Sequence, residues 1–155
     1  MKTAIIYATK YGATKKVAEK LATMIPKATV LPLAFVHADV LEDYQNIIIG
    51  SPITAGMVDK ELKAFVGNYQ EKLKQHNVGL FLCGLQPEQA SEVFVENFSA
   101  ELLTHATVKA FVGGIYDPTQ CSFFSKLVMK KVAGLTTYTN QLDEDKINEI
   151  AAQFS

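Results

Sequence analysis

The chain has 155 residues, a length that suits one domain with a sizeable hydrophobic core. With 48% hydrophobic and 20% charged residues, it has the composition of an ordered globular protein rather than a disordered one. A net charge of -1 argues against nucleic acid as a main partner, and no apolar run approaches the roughly 20 residues that span a bilayer.

Apolar runs alternate with helical patterns, which predicts βαβ units and a parallel sheet in a single α/β domain over residues 1–155. In chain order, the patterns predict a strand at 3–8, a helix at 14–24, strands at 29–33 and 46–50 and a helix at 59–69. They then predict a strand at 77–83, a mostly helical stretch at 87–103, a strand at 108–116 and a final helix at 143–154.

An insert of about residues 117–136 interrupts this alternation. From Ser122 to Ala133, apolar residues recur at helical spacing with three lysines between them, which predicts an amphipathic helix. Residues 136–139 then resume the last strand or pair beside it. The lysines are most simply a solvated face, and contact with the surface of a membrane is the alternative that the neighbouring phenylalanines favour.

The cysteines, Cys83 and Cys121, are far apart and form no C-x-x-C motif, so we expect reduced thiols in a cytoplasmic protein. The N-terminus enters a strand pattern directly, so no secretory signal is expected. The histidines have no ligand spacing, and no metal site is expected.

Three loops are predicted to leave the carboxyl ends of the strands, where open parallel sheets bind ligands. They cover residues 9–14, 50–57 and 83–87, and all are rich in Gly, Pro or hydroxyls. The first runs directly into a helix, whose free N–H groups and positive dipole end suit a phosphate. A simpler interpretation is that Thr14 is only a helix cap and Gly12 only a turn residue.

The first loop and its flanks fill a spaced signature of aliphatic, aromatic, hydroxyl and small residues: Ile5, Ile6, Tyr7, Thr9, Gly12, Thr14, Ala18 and Leu21. In this the chain resembles the flavodoxin family, and the resemblance extends over nearly the whole chain. It implies a flavodoxin-like three-layer sandwich. The five-stranded parallel sheet would have the order 2-1-3-4-5, with the insert after or within the fifth strand.

The resemblance also implies that the cofactor is FMN. The phosphate would then be held by Thr9, Lys10, Tyr11, Gly12, Ala13 and Thr14. The isoalloxazine ring would be flanked by Ser51, Pro52, Ile53, Thr54, Ala55 and Gly56 on one loop and by Cys83, Gly84 and Leu85 on the other. Neither ring loop contains an aromatic or acidic residue, so Ile53, Met57 and Leu85 would form the walls unless Tyr11, Tyr116 or Phe123 reaches over the ring. This predicts weak FMN binding and a less negative potential.

Within that family the chain is similar to the menaquinone-dependent protoporphyrinogen dehydrogenases of bacteria. The similarity lies in Met1-Lys2-Thr3, in the pair Thr9-Lys10 and in residues 111–116 followed by an inserted helix. Residues 117–121 lack the arginines and aromatics with which that group begins its insert.

We therefore expect an FMN-binding redox protein that transfers electrons to partner proteins. The alternative is a flavin-dependent dehydrogenase of the protoporphyrinogen-oxidising type that passes electrons to a quinone. A weaker alternative is a flavodoxin-like binding module without cofactor. Acids are missing at the ends of strands one and three, which excludes a phospho-acceptor receiver domain. No side chain is expected to act as a catalytic acid or base.

Overall fold

The computed structural model describes residues 1–155. The strands are β1 (Thr3–Tyr7), β2 (Ala28–Pro32), β3 (Asn46–Thr54), β4 (Met57–Val58), β5 (Asn77–Cys83), β6 (Val108–Phe111), β7 (Ile115–Tyr116) and β8 (Thr139–Asn140). The α-helices are α1 (Ala13–Met24), α2 (Lys60–Asn68), α3 (Gln70–Leu73), α4 (Ala90–Asn97), α5 (Ala100–His105), α6 (Phe123–Ala133) and α7 (Glu144–Gln153).

The main sheet has five parallel strands in the order β2-β1-β3-β5-β6, with the short β4 paired to β3. This confirms the predicted order 2-1-3-4-5. The short β4 was not predicted, so the fourth and fifth predicted strands are β5 and β6. Thr3 pairs with Ala28 of β2 on one side and with Asn46 of β3 on the other, so strand order reverses beside β1. Ligand sites of open α/β sheets lie at such a reversal.

Helices cover both faces of the sheet, which makes three layers. A cluster of 18 buried residues fills the space between the sheet and the layer that contains α2, α4 and α5. A second cluster of 15 packs α1 and α7 against the opposite face. The runs of isoleucine and valine in the central strands are buried on both faces, as parallel strands require.

The prediction of a loop at residues 50–57 is wrong in part, because most of these residues lie in strands. β3 continues to Thr54, turns at Ala55 and Gly56, and returns as β4 in antiparallel register. Both turn residues have positive φ, 51° and 76°, as a two-residue type I′ hairpin requires. The ligand-binding edge therefore carries a β-hairpin after β3 instead of an irregular loop.

The predicted strand at 108–116 is broken. β6 ends at Phe111, and Gly113 has a φ of 77° before β7 begins at Ile115. A Cβ at position 113 would overlap the Gln141 carbonyl, so this crossing needs glycine. β7 pairs antiparallel with β8. Of the two alternatives predicted for residues 136–139, pairing beside the end of the last predicted strand is observed, but only from Thr139 onward.

The insert forms α6, as predicted, between β7 and β8. The Ser122 hydroxyl accepts a hydrogen bond from the Ser125 N–H and caps its start. Gly134, in the left-handed region, ends it. No residue of α6 is buried, so the helix projects from the body of the domain. No helix of the chain combines the length and the apolar character needed to cross a bilayer.

Candidate functional site

A cavity of about 790 Å³ lies at the carboxyl ends of the central strands. This volume is within the range of about 300–1,000 Å³ typical of sites for small organic molecules. The start of α1, the β3–β4 hairpin and the segment after β5 line the cavity on the sheet side. α4, α6 and the segment that follows β7 close it on the outer side.

The α1 end of the cavity presents a helix N-terminus without a cap. Gly12 precedes the helix with φ 95°, no side chain caps the first turn, and no acidic residue lies in it. The N–H groups of the first helical residues therefore have no partner within the helix. The Thr9 hydroxyl accepts a hydrogen bond from the Gly12 N–H at 3.0 Å and folds the loop over this terminus. These features suit an anion, since free N–H groups and the helix dipole both favour negative charge.

Thr14 carries the one buried side-chain polar atom of the chain that lacks a hydrogen-bond partner. The residue lines the cavity, and only 1% of its surface is exposed. Leaving a buried hydroxyl unsatisfied costs about 1–3 kcal/mol. A hydroxyl in this position points to a ligand that supplies the missing bond, because the polar protein group next to it is the Cys83 thiol, which is only a weak hydrogen-bond partner.

Cys83, at the end of β5, lies beside Thr14 and also lines the cavity. Burial raises the pKa of the Cys83 thiol from 9.0 to about 12, and the neighbouring Thr14 hydroxyl opposes part of this rise. The thiol is therefore neutral and unreactive at physiological pH. Its role is to fill space at the base of the cavity, as an apolar group would.

The β3–β4 hairpin forms one side wall and is fixed to the domain at two points. The Asn97 side chain donates to the Gly56 carbonyl at 3.3 Å and accepts from the Val58 N–H at 3.3 Å. The buried Ser51 hydroxyl accepts from the Asp59 N–H at 2.9 Å and donates to the Pro52 carbonyl. The wall is therefore positioned by hydrogen bonds that lie outside the cavity.

The segment after β5 forms the facing wall and is joined to the crossing between β6 and β7. The Gly84 N–H donates to the Gly113 carbonyl at 3.0 Å. Gly114 lies against the Gly84 backbone, and Phe111 packs beneath it. Phe111 also lines the cavity, so an aromatic ring is present below the segment that carries none of its own.

The outer side of the cavity is the inner face of α6. Its lining residues recur at helical spacing: Phe124, Ser125, Val128, Met129 and Val132. The direct hydrogen bond from this face to the opposite wall joins Gln86 Nε2 to the Val132 carbonyl at 3.5 Å. The helix is therefore connected to the domain mainly through β7 and β8 at its two ends.

The structure brings the predicted site residues together with two exceptions. Those that line the cavity are Thr9, Lys10, Tyr11, Ala13, Thr14, Pro52, Ile53, Thr54, Ala55, Gly56, Cys83, Gly84 and Leu85. Ser51 does not, because its hydroxyl is used within the fold. Gly12 lines a smaller neighbouring cavity of about 310 Å³ beside Lys15 and Lys16.

Sequence reasoning missed the outer half of the cavity. Apart from α6, these lining residues are Gln89, Glu92, Val93, Glu96, Phe111, Gly114, Ile115, Tyr116, Asp117 and Cys121, and Gln86 of the predicted third loop joins them. They supply groups that the two ring loops lack: Tyr11 and Tyr116 line the cavity, Phe124 does so instead of Phe123, and Glu92, Glu96 and Asp117 supply carboxylates. A helical wheel of residues 87–103 marks the two glutamates as one face, but not which wall that face forms.

Two further residues that line the cavity, Tyr116 and Asp117, have altered pKa values. The Thr119 hydroxyl and backbone N–H donate to the Asp117 carboxylate and hold the pKa of Asp117 below its usual range. Burial raises the pKa of Tyr116, which stays a neutral phenol. Asp117 therefore keeps a negative charge at the edge of the cavity, next to the start of the insert. No group of His, Cys, Asp and Glu residues in the chain could hold a metal ion.

Comparison with known proteins gives a family for the chain. The family model described as "Flavodoxin domain" matches residues 4–143. A search of curated proteins found no match. Among solved structures, oxidised flavodoxin 1 from Bacillus cereus is 18% identical with a TM-score of 0.64, and the match covers 99% of this chain and 97% of that one.

Other structural relatives have the same fold. Two-electron reduced flavodoxin from Megasphaera elsdenii is 15% identical with a TM-score of 0.55, over 72% of this chain and 85% of that one. Rubredoxin:oxygen oxidoreductase from Desulfovibrio gigas is 18% identical with a TM-score of 0.57, over 98% of this chain and 36% of that one. At these identities, the likeness establishes the fold. Together with the family match over most of its length, it shows that this chain belongs to the flavodoxin domain family.

Proposed function

We propose that the chain binds FMN non-covalently in the 790 Å³ cavity and acts as an electron-transfer protein. The observation that carries the proposal is the unpartnered, buried Thr14 hydroxyl at the uncapped N-terminus of α1. A phosphate monoester supplies what both features lack, because its oxygens accept from the hydroxyl and from the free N–H groups. Lys10 also lines this end and adds positive charge.

The remaining walls fit the tricyclic part of the same cofactor. The β3–β4 hairpin and the segment after β5 face the cavity with Pro52, Ile53 and Leu85. Flavins supply reversible one- and two-electron chemistry when bound, and the protein's part is binding, orientation and electrostatics. Here Glu92, Glu96 and Asp117 place negative charge at the cavity, which favours the more oxidised, less anionic form of a bound flavin.

A fluorescence titration tests the cofactor. FMN fluorescence should be quenched on adding protein at micromolar concentration, and riboflavin should bind at least tenfold more weakly because it lacks the phosphate. Absence of quenching would leave the flavodoxin-like binding module without cofactor as the better description. Equal affinity for FMN and riboflavin would contradict a phosphate site at α1 while leaving flavin binding intact.

The partners in this proposal are redox proteins that dock at the open cavity, or a quinone. The second candidate is a flavin-dependent dehydrogenase of the protoporphyrinogen-oxidising type, and the observation that favours an enzyme is that α6 lines the cavity. An enclosed site is expected of an enzyme, whereas a carrier needs an accessible flavin edge.

The hairpin base of the insert offers a clean deletion that separates these two functions. Tyr116 and Thr139 are directly paired in β7 and β8, so an Asn-Gly turn can replace residues 117–138 without disturbing the sheet. A carrier with this replacement should still accept electrons from dithionite and pass them to cytochrome c. An enzyme should lose turnover of protoporphyrinogen, although FMN still binds.

The insert also supports the proposal that the protein works in the cytoplasm at the inner face of the membrane. Phe123 and Leu127 lie on the outward face of α6 and are 81% and 47% exposed, with Lys126, Lys130 and Lys131 beside them. Residues 118–142 contain these lysines and no acid. An exposed apolar strip flanked by lysines suits an anionic bilayer surface, where each lysine contributes about 1 kcal/mol.

Cosedimentation with vesicles tests this location. Binding to phosphatidylglycerol-rich vesicles should exceed binding to phosphatidylcholine vesicles and should fall on Phe123→Ala. Phe35→Ala is the matched control, because Phe35 is 73% exposed outside the insert. Equal loss in both variants, or no binding to either vesicle, would contradict a membrane-facing α6 without affecting the flavin titration.

A further inference from the structure

The cavity has an outer part that none of the three predicted loops forms. One wall consists of α4 and the residue before it, with Gln89, Glu92, Val93 and Glu96, and the other is α6, with Phe124, Val128, Met129 and Val132. We call this part the α4–α6 groove. The Gln86–Val132 hydrogen bond of 3.5 Å joins α6 to the segment that precedes α4. Both helices line the same cavity.

The α6 wall of the groove is apolar and uncovered. Phe124 is 72% exposed and Val132 is 56% exposed, although both line the cavity. These side chains have no packing partners that cover them, since no residue of α6 is buried. A ligand with an apolar body gains by covering this wall, because it removes apolar surface from water on both partners.

The α4 wall is acidic and unpaired. Glu92 and Glu96 are four residues apart, so they lie on one face of α4, and both are exposed. Neither forms an ion pair, although six such pairs exist elsewhere in the protein. Like charges at this spacing repel, and a cation between them relieves that repulsion.

The positive charges of the protein lie away from this wall. Lys10 is the one basic residue among those that line the cavity, and it belongs to the α1 end. The lysines of α6 are not among the lining residues and lie on the outward face. The cavity is therefore polarised, with a basic end that suits a phosphate and an acidic side along α4.

We propose that the α4–α6 groove binds a small organic cation with an apolar body. The apolar part lies against Phe124, Val128 and Val132, and the cationic group lies between Glu92 and Glu96. A substrate that carries carboxylates meets two like charges here, so this assignment runs against an anionic porphyrinogen. The groove lies outside the segments assigned to the phosphate and the ring, and the inference does not rest on FMN binding.

Calorimetric titration with a matched pair of amphiphiles tests the assignment. Octyltrimethylammonium and octyl sulfate share one alkyl chain and differ in the sign of the head group. Below their micellar concentrations, and with the protein saturated with FMN, the cation should bind at least tenfold more tightly than the anion. The double variant Glu92→Gln/Glu96→Gln should lose most of this preference.

Two control variants separate the groove from other effects. Glu61→Gln removes an exposed carboxylate on α2, outside the cavity, and should change nothing. Val128→Asn should weaken both amphiphiles, because it makes the shared apolar wall polar. Equal binding of cation and anion, or a preference that survives the double glutamate variant, would overturn the proposal. Displacement of FMN by the cation would also overturn it, since the groove would then be part of the flavin site.

If the chain fails to quench FMN, the same titration is run on the protein alone. A retained preference for the cation then supports the groove while the flavin proposal fails. If the protein binds FMN normally but does not prefer the cation, the groove proposal fails while the flavin proposal stands.

Discussion

Gly114 lies directly against the backbone of Gly84, and a Cβ on Gly114 would come within 2.9 Å of the Gly84 carbonyl oxygen. The neighbouring Gly113 accepts a hydrogen bond from the Gly84 N–H. These two contacts join the crossing between β6 and β7 to a wall of the cavity. The position of that wall therefore depends on residues outside the segment that forms it.

Gly114→Ala should displace the segment at 83–86 and destabilise the protein by about 1–3 kcal/mol, the usual cost of forcing extra atoms into a packed site. FMN affinity should fall at least tenfold. Urea denaturation and flavin fluorescence measure the two effects. Gly67→Ala is the control, because position 67 lies in α2 with open space around a Cβ, and it should stabilise the protein by about 0.5–1 kcal/mol. Unchanged FMN affinity in Gly114→Ala would contradict the coupling.

Thr14→Val should separate stability from cofactor binding. The substitution removes a buried hydroxyl that has no partner, so the protein without FMN should gain about 1 kcal/mol of unfolding free energy. A hydrogen bond to a charged phosphate contributes about 1.5–3 kcal/mol, so FMN affinity should fall about 10- to 100-fold. Riboflavin affinity should stay the same. A parallel loss for FMN and riboflavin would argue that Thr14 acts on the whole cavity and not on the phosphate.

Ala55→Asn should stabilise the β3–β4 hairpin. Ala55 has φ 51°, a conformation that costs an alanine roughly 1–2 kcal/mol and that asparagine adopts readily at this position of a type I′ turn. We expect a gain of about 0.5–1 kcal/mol in thermal or urea unfolding. Lys27→Asn is the matched control for stability, since Lys27 has φ 58° and lies outside the cavity. A gain at Lys27 without one at Ala55 would mean that the hairpin turn is not strained.

Cys83 should make the protein less stable in alkali. Its pKa is about 12 in the folded state and 9.0 as an ordinary thiol, so the unfolded chain ionises first as the pH rises. The stabilising contribution of the neutral buried thiol is complete below pH 9. It is lost between pH 9 and 12, with a slope of at most about 1.4 kcal/mol per pH unit. In Cys83→Ser this part of the slope should be absent. Identical pH profiles for the two proteins would show that the thiol is not buried as described.

Local sequence patterns were sufficient for the inner half of the site. The strand that ends at Tyr7, the loop from Thr9 to Gly12 and the helix that follows are all set by neighbours in the chain. Their placement at one sheet edge follows from parallel topology alone. The order of the strands was implied by the resemblance to the flavodoxin family and is confirmed.

The outer half depended on contacts that no local pattern contains. The hairpin turn has Ala55 where an Asn-Gly pair would have revealed it, and Asn97 of a distant helix holds it in place. Glu92 and Glu96 face the cavity only because α4 packs beside that hairpin. The break at Gly113 is explained by the approach of Gln141, a residue 28 positions later in the sequence.

The pairing of Tyr116 with Thr139 has a consequence for how this protein can diversify. Because the two ends of the insert lie side by side, everything between them is a cassette attached through a single hairpin base. Such a cassette can change its length or its charged residues, or be replaced, while the flavodoxin core keeps its sheet and its packing. The part of the cavity that α6 lines is thereby free to change independently of the part at the start of α1.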